Sequence, residues 1–166
     1  MPRGACLAWN YLESVPSAEM PEVSRPKIVL AFDFGLRRIG VACGDTVSRS
    51  ASALQAVPAT SSGPRWEVIG ALLRDWQPDM AVVGLPYNVD GSDSDMTSAA
   101  RSFAAELGRR FGIEVVMVDE RYSSREAEAR LRTTRESGLR KRRVAKSDVD
   151  AAAACVILER WFTEKT

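Results

Sequence analysis

The chain contains no histidine. Ser-His-Asp and Cys-His catalysis are therefore excluded within it, as is any zinc site that needs imidazole. Catalytic chemistry here has to come from carboxylates, Lys or Arg, hydroxyls, Cys or a bound metal. Cysteine is scarce as well. Cys6, Cys43 and Cys155 are odd in number, far apart and form no C-x-x-C pair. That argues against a disulfide framework or a zinc ribbon and fits a reducing compartment. No apolar run approaches the roughly 20 residues of a membrane helix, and the N-terminus lacks a basic segment followed by an apolar stretch. The expected location is the cytoplasm, with no membrane partner. An excess of one charge is also lacking: 23 Lys and Arg stand against 22 Asp and Glu. Global charge does not mark a nucleic-acid binder, so local charge has to be read. There is no internal repeat and no low-complexity tract.

Residues 1–26 show no helical or strand period and contain Pro2, Pro16, Pro21 and Pro26. They are expected to form a loose N-terminal extension, with the folded domain spanning 27–166. Ile28-Val29-Leu30-Ala31-Phe32 is a nearly continuous apolar run with β-branched residues, the signature of a buried strand. A turn at Phe34–Arg37 leads into a second strand over 38–43, and a third runs from Ala53 to Val57, stopped by Pro58. Ser61–Pro64 reads as a loop. The spacing predicts a helix over 66–76, with Trp66, Ile69, Leu72, Leu73 and Trp76 on its inner face. Met80–Leu85 is another buried strand, 96–110 a helix, 114–118 a strand and 123–135 a third helix. After a basic loop, a final helix is expected from about Asp148 to Thr163. A β-meander followed by βα units implies a sheet with a parallel part, covered on both faces.

Three acids stand at the ends of these elements. Asp33 closes the first strand, Glu120 follows the last, and Asp150 opens the final helix. Functional groups in open α/β sheets gather at the carboxyl ends of parallel strands. Carboxylates converging without histidine suit hard cations such as Mg²⁺ or Mn²⁺. Each acid has a plainer reading. Asp33 fits a turn, although five apolar residues before it make an unpaired carboxylate costly. Glu120 could pair with Arg121 or Arg125. Ser147-Asp148-Val149-Asp150 fits a variant capping box with Ser147 as cap, and Asp148 competes with Asp150 as the ligand.

Basic residues concentrate at Arg130, Arg132, Arg135, Arg140, Lys141, Arg142, Arg143 and Lys146, opposed only by Glu136. A solvated loop explains such a run, but its place beside the acids favours phosphate contact. Arg37, Arg38 and Arg121 would add to it. Asn88, in the loop Pro86–Asp95, could bond a phosphate or order its own loop. Gly35 and Gly40 suit tight hairpin geometry and close backbone approach. Ser123 and Ser124 before Glu126 read as a capping box, and the alanines at 151–154 as close helix–sheet packing.

Four segments together resemble one known family. Leu30–Gly35 with Arg38-Ile39-Gly40-Val41-Ala42 is similar to the opening hairpin of the YqgF-like family, described as Holliday-junction resolvases and as pre-16S ribosomal RNA nucleases. Val83–Gly91, Val118–Ser124 and Val149–Ala154 with Ile157-Leu158 resemble its second, third and fourth motifs, in family order. The resemblance implies an α/β, RNase H-like three-layer α/β/α fold. Its mixed five-stranded sheet would be an antiparallel meander followed by parallel βα units, in the order 3-2-1-4-5. It implies a metal-dependent nuclease using Mg²⁺ or Mn²⁺, whose acidic triad falls on Asp33, Glu120 and Asp150. Asp150 is preferred over Asp148 because it directly precedes the alanine run. It makes structured RNA the first expected partner and branched DNA the second, bound by a monomer or homodimer. Two alternatives stay open: a junction resolvase in DNA recombination, and a non-catalytic RNA-binding factor in ribosome assembly. Actin-like and sugar-kinase ATPases share the opening hairpin but need a chain about twice this length or more.

Overall fold

The computed structural model describes residues 27–88, 90–119 and 146–165. The apolar run at the start of the domain forms β1 (Ile28–Asp33), and Gly35 turns the chain into β2 (Arg38–Asp45). A Cβ on Gly35 would stand 2.6 Å from the Arg38 carbonyl oxygen, so only glycine fits this turn. β3 (Ala51–Thr60) completes the antiparallel meander. It runs through Pro58 instead of stopping there. The Ala59 N–H donates to the Arg37 carbonyl at 2.9 Å. The nitrogen of Pro58, one residue earlier, therefore faces the outer side of the strand, where a missing N–H costs little. The segment expected as a plain loop folds back as a two-residue strand, β4 (Gly63–Pro64), with Gly63 at φ 108°.

α1 (Trp66–Trp76) occupies the predicted range. Ile69 and Leu72 are buried, and Trp66 and Leu73 pack against the core. Trp76, expected on the same face, is 38% exposed. The core ends one turn earlier, and Gln77 closes the helix in a left-handed conformation just before Pro78. β5 (Met80–Leu85) is buried throughout. α2 (Asp95–Phe111) and β6 (Glu114–Asp119) follow, and the C-terminal helix spans Lys146–Glu164. The helix predicted over 123–135 lies outside the described residues.

The strand order is β4-β3-β2-β1-β5-β6, with β1, β5 and β6 mutually parallel. This is the predicted five-strand order with the short β4 added at one edge. Alternation divides the strand residues between two cores. Leu30, Phe32, Ile39, Val41, Ala81 and Val83 meet α1 and α2 on one face. Val29, Ala31, Ala42, Val82 and Val118 meet the C-terminal helix on the other. The result is three layers, α/β/α, as expected.

Candidate active site

Asp33 is the last residue of β1 and half-buried. Side chains alternate along a strand, so Asp33 shares the face of Val29 and Ala31, toward the C-terminal helix. Across the hairpin it pairs in register with Gly40. A Cβ on Gly40 would lie 1.9 Å from the carbonyl oxygen of Asp150 and 2.3 Å from its carbonyl carbon. The helix backbone therefore rests directly on Gly40, a contact no other residue permits. One glycine thus brings the neighbourhoods of Asp33 and Asp150 together.

The side chain of Asp150 is fixed from the same strand. Arg38, two residues before Gly40 and so on the same face, donates from Nε to Asp150 Oδ2 at 2.7 Å. The capping-box reading of Asp150 is corrected here. The helix already runs at Lys146, so Ser147 is helical, and the Asp150 carboxylate is engaged by Arg38. Asp148 lies in the first turn of the helix. Beside the ion pair opens a cavity of about 310 Å³, to which Arg37, Arg38, Met96, Lys146 and Asp150 contribute. Lys146, read as part of a basic loop, is helical, and its place on this cavity comes from helix packing. Met96, in the first turn of α2, had no sequence signal beyond its helical position.

The loop after β5 is ordered by its own side chains. The Asn88 amide donates to Ser92 Oγ at 2.9 Å and to the Asp93 carbonyl at 3.3 Å, so both of its N–H groups are engaged within the loop. The loop-ordering alternative is the one observed for Asn88. Asp90 accepts from the Ser92 hydroxyl and backbone N–H, and these bonds hold its carboxyl below the usual range. Ser94 caps α2, and the hydroxyls of Ser94 and buried Thr97 both bond the Pro86 carbonyl. The carboxyl end of β5 is thereby tied to the start of α2.

At the neighbouring strand end, Arg160 of the C-terminal helix donates to the Asp119 carbonyl at 2.7 Å. This tie had no local signal, because it spans 41 residues. Glu120, Arg121, Arg140, Lys141, Arg142 and Arg143 lie outside the described residues. Among the described residues no three Cys, Asp or Glu side chains form a group that could hold a metal.

A mixed sheet in this strand order, covered by helices on both faces, is the RNase H-like fold. Comparison with known proteins gives the family. The model described as "RuvX: Holliday junction resolvase" matches residues 27–164. A protein of Edwardsiella ictaluri (strain 93-146) named "Putative pre-16S rRNA nuclease" is 47% identical over 137 residues, covering 82% of this chain and 95% of that protein. One of the same name from Burkholderia vietnamiensis (strain G4 / LMG 22486) is 49% identical over 145 residues, covering 85% and 92%. The chain belongs to this RuvX family. Among solved structures the fold is similar to T. thermophilus RuvC in complex with Holliday junction substrate, at TM-score 0.52 and 17% identity, covering 84% of this chain and 95% of that one. It is also similar to the fowlpox virus resolvase in complex with Holliday junction DNA, at TM-score 0.53 and 12% identity, covering 83% and 98%. No described helix is long and apolar enough to cross a membrane.

Proposed function

We propose that the protein is a metal-dependent nuclease that hydrolyses phosphodiester bonds in 5′-end processing of pre-16S ribosomal RNA. The observation that carries this reading is the seating of Asp150 on Gly40, the register partner of Asp33, beside a cavity lined by Arg37, Arg38 and Lys146. The donor chemistry fits a hard cation: two carboxylates on one sheet face, no histidine in the chain, and a glycine cradle that sets the helix close. Asp33, Glu120 and Asp150 are the proposed ligands. Glu120 directly follows β6 and has the sequence parity of Val116 and Val118, which pack on the C-terminal-helix face. Bound Mg²⁺ or Mn²⁺ would supply the Lewis acidity for water to displace a phosphodiester oxygen.

The remaining work falls to the chain's own cations. Arg37, Arg38 and Lys146 are proposed to bind substrate phosphates at the cavity, with Arg121 and the run Arg140–Arg143 extending the contact. Asn88 contributes by fixing the loop that borders the strand ends. The nuclease domain is taken as residues 27–166, preceded by a separate extension at 1–26, acting in the cytoplasm as a monomer or homodimer. The RNA reading follows the names of the relatives. A second reading, resolution of branched DNA, is favoured by the family's description and requires two copies making paired cuts.

The test incubates purified protein with Mn²⁺ or Mg²⁺ on RNA and DNA substrates of the same sequence and shape. Metal-dependent cleavage with RNA preferred is the expected result. Preferred, symmetric cutting of four-way DNA would replace the RNA reading with the resolvase one. Tight RNA binding with no cleavage under either metal would replace both with the non-catalytic assembly factor.

A further inference from the structure

The Arg38–Asp150 pair has a geometry that a simple surface salt bridge does not need. Arg38 spends only its Nε on Asp150. A guanidinium carries five N–H donors in a rigid fork, so four remain on Nη1 and Nη2. Among the described residues these make no other hydrogen bond or ion pair, and the Arg38 side chain is 34% exposed on the cavity wall. Arg37 and Lys146 line the same cavity, so its charge is net positive even with Asp150 included. Placing three cations around one carboxylate in a space of about 310 Å³ leaves room and charge for an anion. Arg38 also stands two residues from Gly40, the point where the helix backbone meets the sheet. The guanidinium is therefore anchored beside the same contact that places Asp150.

We propose that Arg38 is a positioning residue that couples substrate engagement to the acidic site: Nε holds the Asp150 carboxylate in place while the Nη groups take a phosphate of the nucleic-acid strand in the adjacent cavity. This rests on the reading of Asp150 as a site residue. The phosphate concerned belongs to the strand beside the bond being cut, not to that bond, because Asp150 lines the cavity and Asp33 does not. Arginine serves this role where lysine does not. A planar fork donates to two acceptors at fixed angles, whereas an ammonium acts as a point charge.

The experiment separates charge from geometry. Arg38→Gln and Arg38→Lys are compared with the parent protein in two measurements. The first is a salt titration of binding to a single-stranded RNA oligonucleotide, using metal-free protein so that no cleavage intervenes. Arg38→Gln is expected to reduce the slope of log affinity against log salt by about 0.7, the loss of one phosphate contact, and Arg38→Lys to retain the slope. The second is turnover at saturating substrate with Mn²⁺. Arg38→Lys is expected to lose at least about tenfold despite its retained binding, because Asp150 is no longer held. A parent-like slope in Arg38→Gln would overturn the phosphate contact. Parent-like turnover in Arg38→Lys would overturn the positioning role. Asp33→Asn serves as the control: if it still cleaves, the acidic-site reading itself fails. If it is inactive while both Arg38 variants behave like the parent, this proposal alone fails.

Discussion

Toward α1 and α2 the sheet presents Leu30, Phe32, Ile39 and Val41, met by Phe103 and Leu107. The Phe103 ring lies 5.9 Å from Phe32, 5.1 Å from Phe34 and 5.5 Å from Trp66. Toward the C-terminal helix, beside the acids, it presents Ala31, Ala42 and Gly40, met by Ala151 and Ala154. The same helix carries Ile157, Leu158, Trp161 and Phe162 in its second half. Large interlocking side chains bury the most apolar area and make the larger contribution to stability. Small ones let two backbones approach and so set a distance. The first face holds the domain together. On the second, the helix is anchored at its far end, and its first turns lie close enough to bring Asp150 to the strand edge.

Four variants test this division, in descending order of effect. Asp33→Asn should lower turnover by about three orders of magnitude, equivalent to about 4 kcal/mol of barrier, while the urea midpoint hardly moves. Near-parent turnover would remove the acidic edge from the mechanism. Phe103→Ala should do the reverse. A loss of about 3–5 kcal/mol of stability is expected from urea unfolding, with turnover per folded molecule retained at low temperature. If turnover fell in proportion, the two faces would not be independent.

Gly40→Ala should strike both quantities, because the added Cβ meets helix backbone, which cannot swing aside as a side chain can. Stability should fall by about 1–3 kcal/mol or more, and cleavage should fall with it even in the folded fraction. Loss of stability with intact cleavage would show that the separation of helix and sheet at Asp150 is not critical. The smallest effect is expected from the basic run. Replacing Arg140, Lys141, Arg142 and Arg143 with Ala should flatten the salt dependence of RNA binding by up to about 0.7 per lost contact on single strands, leaving the urea midpoint unchanged. Equal slopes would reduce this run to a solvated linker.

Much of the framework was readable in the chain. Val29–Phe32 and Met80–Leu85 are apolar enough to be strands covered on both faces. The 66–76 periodicity places α1 correctly because helix contacts are made between residues three and four apart. Where reading failed locally, a neighbour in space intervened. Pro58 does not end β3, because its nitrogen faces the outer side of the strand. Trp76 is exposed because the core it was expected to join ends at Leu72 and Leu73.

The sequence by itself determined the elements, the two-sided cover of the sheet and the exclusion of imidazole chemistry, since absence of histidine needs no fold to be read. It also carried the ordered motifs that mark the family. The tertiary structure decided that Asn88 spends its amide on its own loop, that Ser147 is not the helix cap, and that Asp150 is held by Arg38. The reason is separation along the chain. Periodicity reports neighbours within a turn or a strand pair, whereas Arg38 and Asp150 are 112 residues apart. Their contact follows from the close seating of the C-terminal helix on Gly40, which depends on the packing of the whole second face.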